Sequence, residues 1–267
     1  MYFFRKSIIL SMIMLVAFAP MSAQATISIY PYALDFDANS NKRIVSIRVA
    51  NTSNEPKTFR VSVVEQQQRL DGGFDAVPDG QPMNYSAKSY VTFSPRQFML
   101  DPKESQTVNV SRKPVGDLPD GDYVTHLKIQ EISTPKPMEP SKKPVQGMDV
   151  NIKLLYSLVV PIYLKKGEAV GTAEVVSAKL TNNVKKEAEV SVRLKKEGEK
   201  YFRGRLEVLS NGDLVGMVKN VRIYPNVYER DASIPLIKGT PNLSGKEVKV
   251  QYIDESDKVV SERKFRL

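Results

Sequence analysis

Apolar residues in this chain recur at every second position, in short runs set apart by turn-forming residues. Val45, Ile47 and Val49 alternate with Ser46, Arg48 and Ala50, and Phe59, Val61 and Val63 alternate with Arg60 and Ser62. Val108 and Val110 follow, then Tyr123, Leu127 and Ile129. The second half repeats the pattern at Val190, Val192 and Leu194, at Leu206 and Val208, at Val248, Val250 and Tyr252, and in a last run over Val259–Leu267. Successive side chains of an extended backbone point to opposite faces, so period two places every other residue against a core. No stretch after residue 25 sustains the 3.6-residue period of a helix. Asn54-Glu55-Pro56, Asp71-Gly72-Gly73, Asp101-Pro102, Pro119-Asp120-Gly121 and Ser210-Asn211-Gly212-Asp213 break the runs. All carry turn chemistry, and Asn-Gly is a strong hairpin signal. The pattern predicts an all-β chain of sandwich type.

Three segments depart from this grammar. Arg5 and Lys6 precede the apolar run Ser7–Phe18, and Ala23-Gln24-Ala25 supplies small residues at a cleavage spacing. That order predicts a secretory signal peptide cut after Ala25, leaving a soluble chain that begins at Thr26. The apolar run falls short of the roughly 20 residues that cross a bilayer. Ser133–Gly147 holds four prolines and three lysines with little to bury, which predicts a mobile loop. A long strand is expected next, over Met148–Tyr163, and then a polar joint at Lys165-Lys166-Gly167. The joint divides the chain into domains at 26–164 and 165–267, each long enough to bury a core without disulfides.

Composition narrows the chemistry. The 267-residue chain has no cysteine, one histidine and a net charge of +9. Without Arg5 and Lys6, 37 basic side chains stand against 30 acidic ones, scattered over alternating strands rather than gathered in a block. Such scatter in an exported chain points to solvated strand faces and away from nucleic acid. Cysteine catalysis and multi-histidine metal sites are excluded, and no G-x-S-x-G, G-x-G-x-x-G or P-loop pattern is present. The expectation is a protein without enzymatic activity, cofactor or metal.

The segment richest in implication is Met148–Tyr163. Met148, Val150, Ile152, Leu154, Tyr156 and Leu158 share one face at period two, with Asp149, Asn151 and Lys153 on the other. Such a row either packs in the domain's own core or stands at an open sheet edge. An open apolar edge is a template for pairing with another chain.

At this point the chain resembles the PapD-like periplasmic chaperones of the chaperone–usher pathway, over essentially its whole exported length. The resemblance is carried by ISIYPYALDFDANSNKRIVSIRVANTS at the start, by Pro95…Leu100-Asp101-Pro102…Gln106, by LPDGDYVTHLKI, and by IKLLYSLVVPIYLKKG. It implies two immunoglobulin-like β-sandwich domains around a cleft. It also implies a strand that lends alternating apolar residues to a pilus subunit lacking its own last strand, until an outer-membrane usher takes that subunit over. Carried over by position, the donor residues are Met148, Val150, Ile152 and Leu154. Lys153 falls at the family's strand lysine, which anchors the subunit's C-terminal carboxylate. His126 stands near the place where related branches carry an arginine, so it either faces the cleft as a second anchor or is a half-exposed strand histidine. The family's first-strand arginine has no counterpart in Ile27–Phe36, and Lys103 stands where members tend to have glycine. These departures suggest a branch other than the best-known one. The implied setting is the periplasm, and the implied partners are pilus subunits, an usher and possible further copies of the chain itself. The alternative is a secreted two-domain adhesin or pilus component. Against it stand the absence of tryptophan for sugar stacking and the absence of an apolar donor extension before Ile27.

Overall fold

The structure is a computed structural model that describes residues 26–133 and 154–267. The first domain contains β1 (Ile27–Tyr30), β2 (Leu34–Asp37), β3 (Ile44–Asn51), β4 (Lys57–Val64), β5 (Gln66–Gln68), β6 (Phe74–Ala76), β7 (Val91–Ser94), β8 (Gln97–Leu100), β9 (Ser105–Arg112), β10 (Gly121–Ile132) and β11 (Ser157–Lys166). The second contains β12 (Gly171–Asn182), β13 (Ala188–Gly198), β14 (Phe202–Ser210), β15 (Asp213–Ile223), β16 (Glu229–Pro235), β17 (Glu247–Asp254) and β18 (Val259–Arg266). Each set forms two facing sheets. In the first domain these are β1-β3-β9-β7 and β2-β11-β10-β4-β8, and in the second β12-β13-β16 and β15-β14-β17-β18. The fold is all-β, two immunoglobulin-like sandwiches, as the alternation and the resemblance lead one to expect.

Alternation explains which side of each strand is buried. Ile47 and Val49 on β3, Phe59 and Val61 on β4, and Val108 and Val110 on β9 enter the first core, while Arg48, Arg60 and Asn109 between them are exposed. Val190, Val192 and Leu194 meet Leu206, Val208, Val248, Val250 and Tyr252 in the second core. Fully burying side chains of this size stabilises the fold by about 1.5–3 kcal/mol each. The Asn211-Gly212 turn joins β14 to β15 with both residues at positive φ, 54° and 93°, the conformation that a two-residue hairpin requires.

Local polar contacts fix the turns of the first sandwich. Asn51 ends β3 fully buried, and its Nδ2 donates to the carbonyls of Glu55, Leu100 and Asp101, while its Oδ1 accepts from the Ser53 amide. One side chain thereby ties two turns together. The Tyr123 hydroxyl donates to the Pro119 carbonyl at 2.9 Å, closing the corner that leads into β10. Lys103 has φ 66°, in the left-handed region that glycine occupies without a Cβ penalty.

The strand expected over Met148–Tyr163 differs in its described part. Leu154, Leu155 and Tyr156 are exposed and lie outside any strand, and β11 runs from Ser157 past Tyr163 to Lys166. Beyond Ser157↔Gln130 the ladder with β10 ends, and a bond from the Glu131 amide to the Tyr156 carbonyl continues it. At its other end the ladder runs on to Lys166↔Gly121, so the lysines taken for a joint are strand residues, and the chain turns at Gly167 with φ 59°. Met148, Val150, Ile152 and Lys153, and most of the proline-rich segment, lie outside the described residues.

The cleft between the domains

Long strands β10 and β11 each present one face to their own core and the other to the second domain. Tyr123, Leu127 and Ile129 of β10, and Val160, Ile162 and Leu164 of β11, point into the first core. Val124 and Tyr163, one residue out of phase, pack into the second. A strand covered on both faces must be apolar at consecutive positions, which accounts for the unbroken run from Val159 to Leu164.

An aromatic cluster closes the joint. Tyr163 stacks on Tyr201 at 4.4 Å between ring centroids, and Tyr224 meets both nearly edge-on at 6.1 and 5.9 Å. Tyr224 also lies 5.8 Å from His126 in a stacked arrangement, and Phe74 touches both rings. On the opposite side of the joint the Tyr201 amide donates to Asp122 at 2.8 Å. Burial raises the pKa of that Asp122 carboxyl above its ordinary value, although the Tyr201 amide and nearby lysines act in the other direction.

In front of the cluster opens a cleft of about 690 Å³. Its walls come from β1 (Ile27, Ile29), from Ser157–Val159 and Pro161 of β11, and from the second domain at Arg222 and Tyr224, with His126, Phe74 and Tyr32 at its back and rim. Two features of the cleft bear on strand pairing. First, β2 covers the outer edge of β11 only from Ile162 to Lys165, so among the described residues Ser157–Pro161 offer unpaired backbone groups to the cleft. Unpaired strand edges accept further strands. Second, large apolar side chains stand exposed: Tyr32 at the cleft is 70% exposed with the 72% exposed Tyr30 ring 6.4 Å away edge-to-face, and along the chain Leu154 is 74% exposed just ahead of β11.

Ser28, Gln66, Ser157, His126 and Arg222 line the cleft beside its apolar residues. His126 is 2% exposed, so the half-exposed alternative does not hold. Its ring faces the second domain, with Nε2 3.2 Å from the Tyr224 hydroxyl and Nδ1 without a partner among the described residues. Burial lowers its pKa to about 4, so the imidazole is neutral at neutral pH. Arg222 supplies the charge. Its Nε is shut off from solvent and has no hydrogen-bond partner among the described residues, and a guanidinium stays protonated at any physiological pH. The chain pattern gives little sign of this role. Val221 and Ile223 are the inward residues of β15, so alternation places Arg222 outside the second core, and only the neighbouring domain turns that outside into a cleft wall. Of the anticipated site residues, His126 and Leu154 are described, and the fold sets Arg222, Tyr224 and Tyr32 in the cleft with His126.

No protein-family model matches the chain, and no curated protein does. Solved structures that it is similar to include the YadV chaperone, with 13% identity and TM-score 0.48 over 91% of this chain and 100% of that one. Another is the Escherichia coli chaperone DraB, with 14% identity and TM-score 0.47 over 90% and 96%. A third is a chaperone–tip adhesin complex of CFA/I fimbriae biogenesis, with 16% identity and TM-score 0.47 over 91% and 98%.

Proposed function

We propose that this chain is a non-enzymatic periplasmic chaperone for pilus subunits, of the PapD-like, chaperone–usher kind. The observation that carries the reading is the open outer edge of β11 at Ser157–Pro161, facing an apolar cleft and preceded by exposed Leu154, Leu155 and Tyr156. An extended segment laid on that edge gains main-chain hydrogen bonds, and alternate side chains give the pairing its register. In this reading Met148, Val150, Ile152 and Leu154 lend their side chains to a subunit that lacks its last strand. The complex keeps the subunit soluble until an outer-membrane usher receives it.

A subunit's terminal carboxylate needs a cation in a partly desolvated place, where charge-assisted hydrogen bonds are strong. Lys153 and His126 are the candidates that the family resemblance implies. A neutral imidazole offers at most a hydrogen bond, so Arg222, in the same cleft as His126, is the charged group best suited to the task. The signal at residues 1–25 is read as cleaved, with the mature chain acting in the periplasm. Free chaperone molecules are read as shielding the exposed Leu154–Tyr156 row by self-association.

The test is co-expression of the chain in a bacterial periplasm with a candidate pilus subunit, followed by purification on the subunit. A stoichiometric complex is expected, lost when Ile152→Asp and Leu154→Asp place charges on the donor face and weakened by Arg222→Ala. If the subunit aggregates beside the unaltered chain, or the charged variant binds equally well while folded, the reading fails and the adhesin alternative takes its place.

A further inference from the structure

The first sandwich sends one element across the domain boundary. β5 and β6 form a small hairpin outside both of that domain's sheets, with register Gln66↔Ala76 and Gln68↔Phe74. Its contacts reach the second domain. The Gln67 side-chain oxygen accepts from Asn226 Nδ2 at 2.9 Å, and the Leu70 carbonyl accepts from the Asp231 amide at 2.7 Å. Phe74 packs on Tyr224 with centroids 5.2 Å apart. The Arg230 guanidinium lies so close over Gly72 that a Cβ there would collide with it.

Gln68 makes the central contact, and it is 5% exposed. Its Nε2 donates to the Arg222 carbonyl at 3.1 Å, and its Oε1 accepts from the Tyr224 amide at 3.1 Å. A backbone carbonyl only accepts and a backbone N–H only donates, so the two partners fix which end of the carboxamide faces which. The carbonyl of one residue and the amide two residues later are the groups that a parallel strand would engage at Ile223. One side chain of the first domain therefore completes the strand edge of the second at the residues that wall the cleft.

We propose that Gln68 is a positioning residue: through this two-way amide bond the hairpin locks Arg222 and Tyr224 to the first domain and holds the angle between the sandwiches. The importance of that angle for binding rests on the chaperone reading, but the lock itself does not. With Gln68 in place, the cleft's charge and aromatic wall are preformed and no domain closure is needed when a partner arrives, which lowers the entropic cost of binding.

The experiment uses the exported chain, Thr26–Leu267, and needs no subunit. Gln68→Leu keeps the volume and removes both hydrogen bonds, and Gln68→Glu keeps the acceptor for Tyr224 while losing the donor to Arg222. Amide hydrogen exchange is followed by NMR at Tyr224 and, as internal controls, at Leu206 and Val250. Spin labels at Lys42→Cys and Lys185→Cys, exposed positions in a chain without native cysteine, report the distance between the domains. With Gln68→Leu, the Tyr224 amide is expected to exchange at least about 10-fold faster while the controls stay protected, and the distance distribution broadens; Gln68→Glu falls between. Unchanged exchange at Tyr224 and an unchanged distance distribution in the folded Gln68→Leu chain would overturn the proposal. Should that variant not fold, Gln68→Glu and Gln67→Ala are read by the same two measurements and decide it. A chain that captures no subunit in any form sinks the chaperone reading and leaves these measurements untouched.

Discussion

Single side chains set the tolerance of this fold to change. Asn51 is buried and serves Glu55, Leu100 and Asp101 at once, so Asn51→Ala leaves three carbonyls short of a donor. The expected loss is about 2–3 kcal/mol, seen as a lower urea midpoint with unchanged m-value. His126 gives stability a pH dependence with a definite sign. Burial depresses its folded pKa to about 4, below the ordinary imidazole value of 6.5. The unfolded chain therefore binds the proton first as pH falls, and stability is full above pH 6.5 and declines toward pH 4. Between pH 7 and pH 5 the contribution is a loss of about 2 kcal/mol, absent from His126→Phe in the same urea titrations. Burial raises the pKa of Glu65, so that group acts with the opposite sign, its cost to stability easing as pH falls toward the ordinary carboxylate value.

At the scale of the element, β11 is two strands in one. From Ile162 to Lys165 it is paired on both edges, with β10 and, in parallel, with β2. From Ser157 to Pro161, among the described residues, β10 alone pairs with it. Charges at the two ends should therefore have unlike effects. Ile162→Asp buries an unpaired carboxylate in the first core, at a cost above about 3 kcal/mol, and is expected to abolish folding of that domain by circular dichroism. Leu154→Asp, at an exposed site before the strand, is expected to leave the thermal midpoint within about 2 °C, since surface changes stay within roughly 0.5 kcal/mol. A large fall in midpoint for Leu154→Asp would mean that Leu154 packs at home, not on a partner.

The molecule as a whole couples its sandwiches through shared packing more than through charge. Val124 and Tyr163 belong to strands of the first domain and to the core of the second, and Tyr224 touches Tyr163, Tyr201, His126 and Phe74. The two domains are expected to unfold together in calorimetry. Tyr224→Ala removes a buried aromatic at the joint and should split the trace into two transitions; a single, merely lowered peak would place the coupling elsewhere. Tyr32, exposed at the cleft, stands on the surface that this coupling holds in shape.

Period two along the chain was enough to specify the strands, the faces they bury, the Asn211-Gly212 hairpin and the all-β class, because these depend on residues a few positions apart. Chain length and the polar joint supplied the two-domain plan, and the motif resemblance pointed to the segment ahead of β11. The chain alone did not mark where β11 begins, because an apolar row reads the same on a paired strand and on an exposed one. Nor did it show that His126 is buried, that Arg222 and Tyr224 wall a cleft, or that Gln68 bridges the domains. Each of those depends on what the opposite sandwich brings within reach, and contacts more than 90 residues apart leave no local periodicity to read.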